Sequence, residues 1–169
     1  MTESTFWKII DTACGADPDA ADEWKSRLVD HLAELPANEI VECGQICDRL
    51  IAAAYRADLW AAAYIINDGA SDDTFYYFRC WLIGMGKQVY EAAVANPDCL
   101  ADVVDGSFAT ASIGSAAMSA WAKASGRPES EFPNYAVTEV FVGEFWDFDD
   151  EELMRDRLPR LAAMYYDSE

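Results

Sequence analysis

Hydrophobic positions recur along this chain mostly at intervals of three and four, the spacing of one helix face. Phe6, Trp7, Ile9, Ile10 and Ala13 predict a short first helix that closes near Gly15. Asp17-Pro18 predicts the start of a second, because a proline in the first turn lacks only an N–H that has no intrahelical partner there. Trp24, Leu28, Leu32 and Leu35 then form one buried stripe, stopped by Pro36. Ile40, Cys47, Ile51, Tyr55, Leu59, Ala62 and Ile66 keep helical spacing and predict one long helix over 38–66. Asn67-Asp68-Gly69 predicts a stop and a turn. Ser71 is a good N-cap, and Asp72 and Asp73 after it meet the positive end of the helix dipole. Phe75, Phe78, Leu82 and Val89 give that helix its core face, with a kink expected at Gly84 and Gly86. Asn96-Pro97-Asp98 closes it and opens a short segment to Asp105.

Residues 107–125 read as a helix of small side chains, which lets a neighbouring helix approach closely. Gly126-Arg127-Pro128 is a break, and residues 135–142 are the only stretch with strand-like enrichment. Asp149 predicts the cap of a last helix ending near Tyr166, kinked or split at Pro159. Its Glu151–Arg155 and Asp156–Arg160 pairs stand at i,i+4 spacing. The reading is a mainly α, single-domain bundle of about six to eight helices, with at most a minor strand near 135–142. Residues 1–128 make the helical domain. Residues 129–169 make an acidic, aromatic C-terminal extension whose terminal helix packs on the same domain.

Composition adds limits. A chain of 169 residues is one domain, and 52% apolar residues with 13% aromatics exclude a disordered chain. Twelve Lys and Arg against 31 Asp and Glu give a charge of −19. That argues against nucleic acid and against an anionic membrane surface as partners. The longest uncharged run, residues 106–122, is too rich in Ser, Thr, Gly and Ala for a membrane span. Residues 1–10 lack a secretion-signal pattern, and the five cysteines are odd in number and irregular in spacing. Both point to reduced thiols and a cytoplasmic location. A single histidine, His31, cannot build a two-histidine metal site. No Gly-x-Ser-x-Gly elbow, phosphate-binding loop or dinucleotide fingerprint occurs. No cofactor is predicted.

The most distinctive stretch runs from Ala54-Tyr55-Arg56-Ala57-Asp58-Leu59-Trp60 to Tyr64 and then from Gly69 to Ile83. The second part contains Ser71-Asp72-Asp73 and Phe75-Tyr76-Tyr77-Phe78-Arg79-Cys80-Trp81. Gly86-Lys87, Val89-Tyr90-Glu91, Asn96-Pro97-Asp98 and the opening Phe6-Trp7-Lys8-Ile9-Ile10 accompany them. This pattern resembles the DUF4240 family of bacterial proteins over roughly residues 4–105, and the helical domain 1–128 is its DUF4240-like part. The resemblance implies a soluble bacterial domain and no catalytic residue. Joining of some members to WGR-type modules implies regulatory contexts, although this chain shows no such module.

Two constellations carry the candidate chemistry. The first is Tyr55, Arg56, Asp58 and Trp60 on one helix with Asp72, Asp73, Tyr77 and Arg79 on the next. A hairpin turning at 67–69 brings them near each other. They form either a polar pocket or a structural tie, Asp58 with Arg79 or Arg56 with Asp72, since buried charges are normally paired. The second is the segment 144–156, with seven acids threaded by aromatics. Glu144, Phe145, Trp146, Asp147, Asp149 and Asp150 form its candidate docking surface. A calcium-loop reading of Asp147, Asp149 and Glu151 is weakened by the lack of the turning glycine and the twelfth-position glutamate; a divalent-cation site there is the lesser alternative, and no metal site is predicted. Cys43 and Cys47, four apart, read as core residues. The expected function is a cytosolic acidic interaction or regulatory domain that binds a basic protein or peptide. The alternative is an enzyme tailoring a small molecule or peptide with the Asp/Arg/Tyr set. Nothing in the sequence sets an oligomeric state.

Overall fold

Where apolar spacing and capping agree, the helices form as expected. The structure, a computed structural model, describes residues 1–15, 21–106, 108 and 113–167. Helix α1 spans Glu3–Cys14, started by the Thr2 hydroxyl accepting from the Thr5 N–H and ended by left-handed Gly15. α2 spans Ala21–Leu32; its expected start at Asp17-Pro18 lies outside the described residues. α3 spans Ala37–Ala53 and α4 spans Ala57–Ile66. α5 spans Asp72–Gly84 behind the Ser71 cap, and α6 spans Lys87–Ala95. A 3₁₀ turn covers Pro97–Asp102. α7 spans Ala116–Ser125, α8 Glu151–Arg157 and α9 Pro159–Tyr166. The fold is mainly α, with nine α-helices and no sheet among the described residues.

Several stretches read as continuous are divided. The long helix over 38–66 is two helices, because Tyr55 and Arg56 leave helical geometry to meet a distant segment. The Val142 N–H donates to the Tyr55 carbonyl (3.0 Å), and the Ala57 N–H donates to the Val142 carbonyl (2.9 Å). That parallel bridge between Arg56 and Val142 is the one ladder contact of the extended 135–142 segment among the described residues. Gly86, at φ +89°, turns the chain between α5 and α6, a conformation that favours glycine. Within 107–125 the α-helix begins at Ala116, after a 3₁₀ turn Ile113–Ser115. Residues 107 and 109–112 lie outside the described residues. Asp150, not Asp149, caps α8 by accepting from the Leu153 N–H (3.1 Å). Pro159 divides the last helix by starting α9 at its first position.

The core is continuous. Phe6 and Ile10 of α1, Trp24 and Leu32 of α2, Leu59 of α4 and Phe75, Phe78 and Trp81 of α5 are all buried in it. α7 packs on α2 and α3, and α9 packs on α4 and on the 3₁₀ turn. Asp98 fixes that last contact. Its buried carboxylate accepts from the Arg160 N–H (3.0 Å) and the Leu161 N–H (3.0 Å), the open donors of the first turn of α9. Leu158, the residue before α9, offers no side-chain cap of its own. Arg160 also pairs with Asp102 (Nη1 at 3.0 Å) and not with Asp156. No helix among the described residues is long and apolar enough to cross a membrane.

Removing a helix cap costs about 0.5–2 kcal/mol. Asp98→Ala is therefore expected to lower unfolding free energy by about that much in a urea titration. Asp98→Asn keeps one accepting oxygen and is expected to lose less.

Candidate functional site

Arg79 of α5 gathers residues from the end of α3, from the link between α3 and α4 and from the extended segment beyond residue 135. Its side chain is 5% exposed. The guanidinium lies over the rings of Tyr55 (4.8 Å), Phe75 (5.0 Å) and Tyr76 (5.8 Å). Nη1 donates to the Ile51 carbonyl in the last turns of α3 (3.0 Å) and to Glu139 Oε1 (2.6 Å). Neither pairing expected from the sequence forms. Arg56 instead binds Asp58 through Nε and Nη2, both at 3.0 Å, and Asp58 also accepts from the Leu59 N–H. The physical reason is local: two residues apart at the entry of α4, Arg56 and Asp58 satisfy each other and the helix start.

Of the candidate pocket residues, Tyr55, Trp60 and Arg79 are gathered. Trp60 stacks on Phe75 (4.7 Å) and donates its indole N–H to the Ala70 carbonyl. Asp72 and Asp73 stand exposed in the first turn of α5. Tyr77 lies half-buried, edge-on to Tyr76. The carboxylate that reaches Arg79 comes from a segment without helical period, 60 residues further on.

Tyr76 also lines a groove of about 560 Å³ with Asp48, Gly114, Glu129, Phe132 and Tyr135. A continuation of about 340 Å³ shares Asp48, Tyr76 and Tyr135 and adds Val137 and Glu139. Two glycines make room for the phenols. A Cβ on Gly44 of α3 would stand 2.6 Å from the Tyr135 hydroxyl, and one on Gly114 would overlap the Tyr76 hydroxyl. Asp48 is half-buried, and burial raises its pKa above the ordinary carboxylate value. The Tyr135 hydroxyl, donating to it, partly offsets this, and the nearby Glu139 adds to the rise. Burial likewise pushes both phenols up. No lysine or arginine lines either part of the groove among the described residues. Sequence reasoning missed Asp48, Tyr135 and Gly114. The available signal was Gly44, a helix-weakening residue inside α3 that needs a packing reason.

The acidic segment is less free than its composition suggests. Phe148 is buried, and Trp146 is half-buried, with Arg157 over its ring at 4.2 Å. Asp149 accepts from the Tyr64 hydroxyl, Asp147 accepts from the Asp149 N–H (3.0 Å), and Asp150 caps α8. Glu144 and Phe145 face solvent, Phe145 at 59% exposure, with its ring edge-on to Trp60. No group of three His, Cys, Asp or Glu among the described residues is arranged to hold a metal ion. All five cysteines are free. Burial pushes the Cys14 and Cys43 thiols up to about 12 and Cys80 up to about 11, so these thiols stay protonated at neutral pH.

Two outcomes follow. Iodoacetamide at about pH 8 is expected to label half-buried Cys99 first, the other four reacting only on unfolding, as peptide mass mapping would show. For Asp48, a folded pKa above the unfolded one means that the proton favours the fold. The stabilisation is full below the unfolded pKa and is lost as pH rises through the raised one. Asp48→Asn is therefore expected to gain stability relative to the wild type across that rise and then level off, as read by urea unfolding at successive pH values.

The family described as "Protein of unknown function (DUF4240)" has a model that matches residues 1–124. No curated protein matches the chain, and no solved structure does.

Proposed function

The chain belongs to the DUF4240 family, and from that premise we propose that it is a cytosolic, non-catalytic domain that binds a basic protein segment. The groove on α3 receives one lysine or arginine side chain of that segment. The observation that carries this reading is the lining of the groove: Asp48, Glu129 and Glu139 with Tyr76, Tyr135 and Phe132, and no basic residue among those described. A cation there meets a partly desolvated carboxylate and aromatic faces, both of which attract it. Glu139 is engaged by Arg79 and Glu129 by the Ser119 hydroxyl (2.6 Å). Asp48 faces the Tyr135 phenol and carries no ion pair among the described residues, which disposes it to take a new one. The charge of −19 supports the same partner class by steering basic chains toward the surface.

The enzymatic alternative draws less support. Its acids Asp72 and Asp73 stand in solvent away from Arg79, and Asp58 is occupied by Arg56. A general acid or base needs to share a cavity with the group that orients substrate.

The test is fluorescence anisotropy with a labelled lysine-rich peptide at low salt. Asp48→Asn is expected to weaken binding about tenfold, equivalent to about 1.4 kcal/mol. The Asp72→Asn/Asp73→Asn double variant, which removes twice the charge from an exposed site, is expected to change it far less. Equal losses in both would reduce the effect to net charge and sink the groove as the site.

A further inference from the structure

Arg79 poses a problem of charge balance that the matched part of the chain does not solve. A guanidinium stays protonated at any ordinary pH, and one removed from water needs an anion or a full set of acceptors. Within residues 1–124, the region of the family match, the hydrogen-bond acceptor found for Arg79 is the Ile51 carbonyl. Its Nε is buried with no acceptor among the described residues. The counter-charge is Glu139, which lies beyond that region. Glu139 reaches a single nitrogen of a fork built for two-point contact with a carboxylate.

The contact is also asymmetric in exposure: 5% for the Arg79 side chain and 45% for Glu139. The carboxylate thus closes the mouth of a cage walled by Tyr55, Phe75 and Tyr76. The segment carrying it is held on either side of Glu139, by Tyr135, whose hydroxyl lies close against Gly44 of α3, and by the Val142 bridge. Its Val140, next to Glu139, is 64% exposed.

We propose that Arg79 and its aromatic walls are a binding site for a small carboxylate, and that Glu139 fills this site from within the chain as a built-in stand-in for that ligand. Because the segment stays anchored on both sides of residue 139, the space freed by Glu139 is that of one acidic side chain. A small carboxylic acid fits it and a protein strand does not. The inference does not rest on the basic-segment reading, which shares Glu139 as a groove wall but concerns a ligand of opposite charge seated at Asp48.

The test uses the full chain carrying Glu139→Ala, melted in sodium acetate, sodium chloride and sodium phosphate at matched ionic strength. In chloride the variant is expected to melt below the wild type. In acetate it is expected to regain most of that loss along a saturating curve, while the wild type melts alike in acetate and chloride. Adding Arg79→Met, which replaces the buried cation by an apolar chain of similar length, is expected to abolish the acetate-specific gain. If Glu139→Ala does not fold in chloride, Glu139→Ser, which also clears the acidic side chain, takes its place in the same titrations. The proposal is overturned if neither variant distinguishes acetate from chloride. It is equally overturned if the gain survives Arg79→Met, or if phosphate restores the variant as well as acetate does.

Discussion

A positive charge sealed among aromatic rings sets the terms for the middle of this molecule. Arg79 sits where water does not reach, and its ionisation cannot be relieved by losing a proton. Leaving such a group uncompensated is far more costly than losing an ordinary surface contact. The surrounding chain is arranged accordingly. α3 offers the Ile51 carbonyl, and an extended segment from the C-terminal third delivers the Glu139 carboxylate. The rings of Tyr55, Phe75 and Tyr76 supply their negative faces. The gap between α3 and α4 belongs to the same arrangement, since Tyr55 leaves the helix there and its backbone meets Val142, three residues beyond Glu139.

This dependence explains which parts of the fold could be read from the sequence. α1, the Ser71 cap and the turn before it rest on residues within a few positions of each other, so their signals are local. The interruption at 54–56 carries no proline or glycine. Its cause is Val142, far along the chain, and spacing alone predicts an unbroken helix there. The Arg79 partner was hidden for the same reason. Helical arithmetic brought Asp58 and Arg79 into one neighbourhood, but Asp58 was already committed to Arg56 and to the start of α4. The groove around Asp48 was less legible still. Its walls come from α3, α5, the turn at 113–115, α7 and the extension, and only Gly44 hinted that something must come close to α3.

The acidic character of the chain resolves into distinct uses. Asp58, Asp98 and Asp150 satisfy backbone donors at helix starts, and Asp102 holds Arg160. The aromatics of the 144–150 segment mostly turn inward, with Phe148 and Trp146 packed against the body. Much of that segment thus has partners within the chain, while Glu144 and Phe145 face solvent.

The Asp98 contact has a consequence for how the molecule is made. The carboxylate and the backbone donors it caps are 62 and 63 residues apart. During synthesis Asp98 leaves the ribosome well before α9 exists, and until then its side chain has no α9 donors to accept from. Closure of this end of the body thus needs α9 in place. A ribosome stalled short of that helix would display a half-dressed domain with an apolar flank on α4 still uncovered, a form that quality-control proteases would recognise readily.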